Sequence, residues 1–262
     1  MIELNHLHLG TSYQKALYLS YICQYLYQKE GTYDKWSHKL GLDKFDVYQG
    51  RVKSVDYLMI HADHYQILVI NGTDIYKGIQ ESFDDLLISA NILPKKGRNR
   101  RIYHRGYYNM AEEVVNDIDK RNLLTKNREL VIAGHSMGGA IAKIISGDFY
   151  LTDINVFTFG SPQVSMGGYR TKPTESHFHY VNHLDLIPSF PSRIYSDNVD
   201  VFYMADKNLT IGVPKKRSFF VSIYLLLKDV IKMKGKRGIF HPHAMTSYIK
   251  KLSRFNPDRG KA

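Results

Sequence analysis

The pentapeptide Gly134-His135-Ser136-Met137-Gly138 restricts the fold of this chain more than any other segment, because of what stands on either side of it. Residues 130–133 read Leu-Val-Ile-Ala, a short apolar run typical of a buried strand. Small residues follow the pentapeptide, and the pattern predicts a helix over 136–146. A strand that turns sharply into a helix needs residues without bulky side chains, which Gly134 and Gly138 are. We therefore expect a fold in which strands alternate with helices.

Other segments extend this alternation. Apolar residues at helical spacing predict helices over 12–29 and 105–123, whereas short apolar runs predict strands at 57–60, 67–70, 155–159 and 178–181. The first two of these strands flank Ala62-Asp63-His64, which predicts a short turn between them. This pattern is typical of a mostly parallel central sheet with helices on both faces, the α/β class. A length of 262 residues favours a single domain over 1–262.

The serine of the pentapeptide has the setting of a nucleophile. A hydroxyl attacks only when a base takes its proton, and α/β-hydrolases hold it on a tight turn above the sheet. In these enzymes an acid and then a histidine follow the nucleophile along the chain. Among the acids after Ser136, Asp185 directly follows a predicted strand, at the end where a parallel sheet carries its site. The alternative is that Asp185 is an ordinary turn aspartate.

The base must come from the two histidines after Asp185, which are His241 and His243. We prefer His243, because the residues after it can start a C-terminal helix, whereas His241 precedes Pro242 in a loop. His183 lies too close to the acid in sequence and is predicted to be a core or supporting residue. The candidate triad is therefore Ser136, Asp185 and His243.

An oxyanion hole would complete the site, since acyl transfer puts negative charge on the former carbonyl oxygen. One donor is the backbone N–H of Met137, the residue after the nucleophile. The second donor is expected in a loop after an earlier strand, and Thr73 in Asn71-Gly72-Thr73 is the best candidate. The alternative is that Gly72 simply makes a turn.

These segments together resemble the class 3 lipase family over roughly residues 55–250. The segments that carry the resemblance are 131–140 around the serine, 157–164 (Phe-Thr-Phe-Gly-Ser-Pro-Gln-Val), 104–107 (His-Arg-Gly-Tyr), 69–73, 181–188 and 243–248. The resemblance implies an α/β-hydrolase that cleaves lipid acyl esters through Ser136, Asp185 and His243, with Thr73 and Met137 as oxyanion hole, and with no cofactor or metal.

The chain departs from the family pattern at three places. Asn71 replaces the usual arginine, a tryptophan is missing around Asp85-Leu86, and Pro242 stands where an acid often precedes the histidine. These departures bear on the lid and on substrate preference. The resemblance assigns a lid to 75–93, for which the alternative is an ordinary amphipathic helix. An apolar stretch at 218–227 between basic clusters is expected either to touch lipid headgroups or to pack on the sheet.

A net charge of +11 favours approach to anionic surfaces. We expect a lipid ester as substrate, and phospholipid fits this expectation as well as neutral acylglycerol does. We also expect peripheral contact with an anionic membrane. Nucleic acid is not expected as a partner because no recognised binding module is present, and the oligomeric state is unknown.

Cys23 is predicted to be a packing residue. Without a signal peptide or an apolar run of roughly 18 residues, a cytoplasmic location is expected. The alternative function is a non-catalytic membrane- or partner-binding protein with the same fold.

Overall fold

The structure is a computed structural model of the chain. It describes residues 10–28, 33–72, 92–149, 154–167, 176–191, 195–197, 201–205, 209–212 and 242–255. Four features predicted from the sequence fall wholly or largely outside these ranges: Thr73, the 75–93 segment up to residue 91, the 218–227 stretch and His241.

The strands of the described ranges form a large sheet and a small one. The large sheet contains β1 Asp46–Val52, β2 Val55–His61, β3 Tyr65–Ile70, β6 Glu129–His135, β7 Ile154–Phe159, β9 Ser176–Asn182, β10 Val201–Met204 and β11 Leu209–Gly212. The small sheet contains β4 Pro94–Lys96, β5 Ile102–His104 and β8 Ser165–Met166. Their spatial orders are β1-β2-β3-β6-β7-β9-β10-β11 and β4-β5-β8.

The centre of the large sheet is parallel. Neighbours from β3 through β6, β7 and β9 to β10 all run in one direction. The flanking pairs β1–β2, β2–β3 and β10–β11 are antiparallel. This mostly parallel sheet confirms the predicted α/β-hydrolase class, and the β2–β3 pair joined at residues 62–64 is as predicted. The sequence pattern missed β1, an edge strand whose residues are largely exposed and therefore lack an apolar repeat.

The described ranges contain five α-helices: α1 Ser12–Tyr25, α2 Tyr33–Leu40, α3 Arg105–Lys120, α4 Met137–Ile144 and α5 Met245–Leu252. Three of them end before their predicted limits. Helix α1 stops at Tyr25, and α3 stops at Lys120, shortly before Asn122 takes a left-handed φ of 51°. Helix α4 passes into a π-helical turn, Ile145–Phe149.

The core lies on both faces of the sheet. One face packs against α1 and α5 through side chains such as Val131 and Phe157. The other packs against α3 and α4 through Ile132 and Val156. Cys23 is fully buried in the first layer, which confirms its predicted packing role. In the described ranges, no helix combines the length and apolar character needed to cross a membrane.

Candidate active site

The candidate nucleophile lies on a strained turn between β6 and α4. Ser136 has φ 55° and ψ −127°, a backbone conformation that an L-residue adopts only when its surroundings enforce it. A Cβ at Gly134 would lie 2.3 Å from the carbonyl oxygen of Gly138, and one at Gly138 would lie 2.2 Å from that of Ile70. The turn therefore requires both glycines, and it lifts Ser136 to the carboxyl end of the parallel strands.

The three candidate triad residues meet at this end of the sheet. His243 Nε2 lies 2.8 Å from Ser136 Oγ, and His243 Nδ1 lies 2.7 Å from Asp185 Oδ2. All three residues are buried, with at most 4% of their surface exposed. Since a carboxylate can only accept, Nδ1–H donates to Asp185, and in the neutral ring Nε2 is the acceptor for the serine proton. This arrangement can activate a serine for attack on a carbonyl carbon.

Hydrogen bonds from the surrounding chain hold the Asp185 carboxylate. The backbone N–H of Ile187 donates to Oδ1 over 3.0 Å, and the Tyr248 hydroxyl donates to Oδ2. The same hydroxyl accepts from the backbone N–H of Asn182 over 3.2 Å. Burial, followed by the nearby Asp185 charge, raises the pKa of Tyr248 well above its usual value, so it remains a neutral donor. No local pattern predicted this contact, because Tyr248 and Asp185 are 63 positions apart.

The loop that carries His243 is held by side chains on either side. Asn182 Nδ2 donates to the carbonyl oxygen of Pro242 over 2.7 Å, and His135 Nε2 lies 2.8 Å from that of His243. His135 Nδ1 in turn lies 2.7 Å from the hydroxyl of Tyr27. The contact between Tyr27 and His135 was not predicted from the sequence, because the two residues are 108 positions apart and no local pattern connects them.

Of the two proposed oxyanion donors, the structure describes Met137, which directly follows Ser136. Met137 is the first residue of α4, at the helix end where backbone N–H groups favour negative charge. A Cβ on Gly72 would lie 3.0 Å from the Ser136 Cβ, so the end of β3 passes beside the nucleophile. Thr73 itself is outside the described ranges. His183, by contrast, lies half-buried 3.2 Å from Lys251 Nζ, apart from the Ser136–His243 contact.

A small apolar cavity of about 30 Å³ lies near the acid. It is lined by Ile92, His104, Tyr107, Pro162, Ile187, Phe190 and Pro191. Ile187 follows Asp185 by two residues, so the cavity adjoins the acid loop. Among the described residues, no group of three or more His, Cys, Asp or Glu side chains could hold a metal ion.

Comparison with known proteins relates both the sequence and the fold to lipases. Residues 67–195 match the family model "Lipase (class 3)". A lipase of Rhizopus niveus is 25% identical over 143 residues, 49% of this chain and 35% of that protein. Toxin TseL of Vibrio cholerae is 27% identical over 117 residues, 41% of this chain and 18% of the toxin. The matches thus span about a third or less of these curated relatives.

Solved structures agree on the fold. The crystal structure of a lipase from Rhizopus microsporus var. chinensis has a TM-score of 0.62 at 14% identity, covering 82% of this chain and 84% of that one. Lipase II from Rhizopus niveus has a TM-score of 0.60 at 18% identity, covering 80% and 88%. The comparisons therefore confirm the class 3 lipase resemblance and the α/β-hydrolase fold.

Proposed function

We propose that this chain, whose residues 67–195 match the class 3 lipase family model, is a serine hydrolase of lipid acyl esters. One observation carries the proposal. A buried histidine lies within hydrogen-bond distance of both Ser136 Oγ and the Asp185 carboxylate, and the serine is on a strained strand-to-helix turn. A purely structural serine would need neither the strained backbone nor a base at 2.8 Å.

In the proposed mechanism His243 Nε2 takes the proton of Ser136 while Oγ bonds to the ester carbonyl carbon. The carbonyl oxygen becomes an oxyanion held by the backbone N–H groups of Met137 and Thr73. His243 then gives its proton to the leaving alcohol, and an acyl-enzyme remains. A water molecule, deprotonated by the same histidine, attacks the acyl carbon and releases the carboxylic acid. Asp185 keeps Nδ1 protonated throughout, which leaves Nε2 available.

Substitution of the serine tests the hydrolase proposal. We expect Ser136→Ala to lower kcat on a soluble short-chain p-nitrophenyl ester by about 1000-fold or more. Ser146→Ala is the matched control, because Ser146 is buried just beyond α4 and its hydroxyl donates to the Lys143 carbonyl. Full turnover by Ser136→Ala would overturn the proposal. No turnover by the wild type would favour the non-catalytic binding protein instead.

The lipid part of the proposal is supported by an amphipathic surface on the small sheet. The hairpin of β4 and β5 exposes the basic side chains Lys96, Arg98 and Arg100. In the strand register, Lys96 of β4 lies opposite Ile102 of β5, and Ile102 lies opposite Met166 of β8. Both apolar residues are more than a third exposed. Apolar side chains beside basic ones are suited to the headgroup region of an anionic bilayer.

Hydrogen bonds hold this basic hairpin at its tip and at its base. The Asp148 carboxylate accepts the backbone N–H groups of Arg98 and Asn99 at 2.9 and 2.7 Å, which fixes the hairpin tip. At the other end the backbone N–H of His104 donates to the carbonyl oxygen of Val164, five residues after β7. His104 also lines the same cavity as Ile187 of the acid loop, so a membrane bound by the hairpin would lie near this loop, and the substrate we propose is anionic phospholipid.

Vesicle binding tests this surface in a Ser136→Ala background, where no lipid is consumed. We expect Lys96→Ala/Arg100→Ala to weaken cosedimentation with phosphatidylglycerol vesicles by roughly 30-fold, since each basic residue near an anionic surface is worth about 1 kcal/mol. Lys120→Ala/Lys126→Ala removes the same charge from exposed positions outside the hairpin and is the control. Equal weakening by both pairs would contradict a specific hairpin site. Wild-type release of fatty acid from these vesicles, but not from triacylglycerol emulsion, would support the phospholipid assignment.

A further inference from the structure

We propose that Tyr27 and His135 are positioning residues for the reaction, because they form a hydrogen-bond relay from the end of β3 to the backbone of His243. The inference rests on the proposed hydrolase function. Tyr27 lies 40 residues before the region that matches the family model, which starts at residue 67. A residue outside that region would thus contribute to the geometry of the candidate site.

The relay consists of three contacts in series. The backbone N–H of Gly72 donates to the Tyr27 hydroxyl over 3.2 Å, and this hydroxyl lies 2.7 Å from His135 Nδ1. His135 Nε2 lies 2.8 Å from the carbonyl oxygen of His243. The chain of contacts therefore joins the strand end beside the oxyanion loop to the residue that acts as base.

Chemistry determines the direction of each bond in the relay. A carbonyl oxygen only accepts, so His135 Nε2 must carry a hydrogen and donate it to His243. Burial, and next the nearby His243, lower the pKa of His135 well below its usual value, so the ring is neutral and Nδ1 is an acceptor. The Tyr27 hydroxyl consequently donates to Nδ1 and accepts from Gly72. Every member of the relay is satisfied in this one arrangement.

The relay acts on the backbone of His243, the proposed base. Asn182 holds the carbonyl of Pro242, and His135 holds the next carbonyl, that of His243. Loss of the second contact would free the backbone of His243 while leaving its imidazole partners unchanged. Small displacements of a catalytic group are costly, because a 1 Å misplacement can lower a rate by about 100-fold. In the relay Tyr27 and His135 bind each other, Gly72 and the backbone of His243, so the role we propose for them is positional.

The relay also connects the first helix to the site. Tyr27 follows the last residue of α1 by two positions, and its ring meets that of His135 edge-on at 5.5 Å. Asn71, which stands where the family usually has an arginine, donates its side-chain amide to the carbonyl of Leu26 over 3.3 Å. Two neighbouring residues after α1 thus bind two neighbouring residues after β3. This pairing explains why an asparagine suits position 71.

Removal of one hydroxyl tests the proposal. We expect Tyr27→Phe to lower kcat on a soluble short-chain ester about tenfold, the effect of one lost buried hydrogen bond, and to leave KM within about twofold. Tyr18→Phe is the matched control. Tyr18 lies on α1, is 2% exposed, and donates to the carbonyl of Leu40 over 2.7 Å, away from the site. Tyr18→Phe should lower the thermal stability about as much as Tyr27→Phe does, but it should leave kcat unchanged.

A second variant tests the coupling. His135→Gln keeps a side-chain amide donor near the Nε2 position but cannot reproduce both contacts of the ring, so kcat should fall about tenfold. Because the two residues act in one relay, the double variant should be little worse than the poorer single variant. Three results would overturn the relay: an unchanged kcat in Tyr27→Phe, an equal loss of kcat in Tyr18→Phe, or losses of kcat that multiply in the double variant. An inactive wild type would instead overturn the hydrolase function, and the relay's role with it.

Discussion

At the scale of single residues, Gly160 shows how closely the chain surrounds the candidate triad. It follows β7 with a left-handed φ of 60°, and a Cβ there would lie 2.7 Å from Asp185 Oδ2 and 3.0 Å from His243 Nδ1. Both atoms belong to the hydrogen bond between acid and base. Any side chain at this position would therefore have to move that pair.

We expect Gly160→Ala to lower kcat/KM by about 100-fold, because displacement of the base by roughly 1 Å is enough for such a loss. Gly167→Ala is the control: Gly167 has a φ of 80°, but a Cβ there would meet no atom within 4 Å. In both variants an alanine must adopt a left-handed backbone conformation, which costs about 1–2 kcal/mol. Only Gly160→Ala should lose activity. Steady-state kinetics with thermal unfolding of both variants checks this, and equal activities would contradict it.

At the scale of elements, a buried ion pair holds α4, the helix that follows the candidate nucleophile. Lys143 Nζ lies 2.6 Å from Asp197 Oδ2 and donates to the carbonyl of Pro162 over 2.9 Å. Asp197 Oδ1 accepts the backbone N–H groups of Val164 and Ser165. Both charged side chains are at most 1% exposed. Helix α4, the turn after β7 and residue 197 are thereby joined in one polar network beneath the site.

We expect Lys143→Met to lower the free energy of unfolding by about 3–5 kcal/mol, because it leaves a buried carboxylate without its counter-ion. Lys126→Met, at an exposed position, should change it by less than about 0.5 kcal/mol. Urea unfolding followed by circular dichroism measures both values. A loss below about 1 kcal/mol in Lys143→Met would show that the pair does not hold α4.

At the scale of the whole molecule, several histidines with buried ring nitrogens are expected to make the fold sensitive to acid. Burial lowers the pKa of His104 to about 4. Burial and then Lys143 lower that of His177 to about 3. For His135 and His179, burial is likewise the first cause of a pKa well below the usual 6.5. All four residues are therefore neutral in the folded protein near pH 6.

Stability should fall as the pH drops below about 6.5. Between pH 6.5 and 5 the unfolded chain binds protons at these histidines and the folded protein does not, so acid favours unfolding. Each histidine can contribute up to about 2 kcal/mol between pH 6.5 and 5. Urea unfolding at pH 7 and pH 5 tests the prediction, and His104→Asn should reduce the difference. Equal stability at the two pH values would contradict it.

Much of the fold could be predicted because its signals are local. The apolar runs of β3, β6 and β7 and the glycines of the turn at Ser136 are visible within a few residues of sequence. The order of acid and histidine after the serine reduced the choice to Asp185 and one of two histidines. Edge strands such as β1 have no continuous apolar pattern, so the sequence did not reveal them.

The sequence by itself determined the class of fold and the residue types available for acyl transfer, since both depend on local pattern and on order along the chain. Only the tertiary structure decided what surrounds them. It brings His243 within 2.8 Å of Ser136, and it brings Tyr27 to His135 and Lys143 to Asp197. These partners are 54 to 108 residues apart, and packing of helices on the two faces of the sheet creates their contacts. The pentapeptide around Ser136 therefore indicates the chemistry, whereas the folded chain sets its geometry.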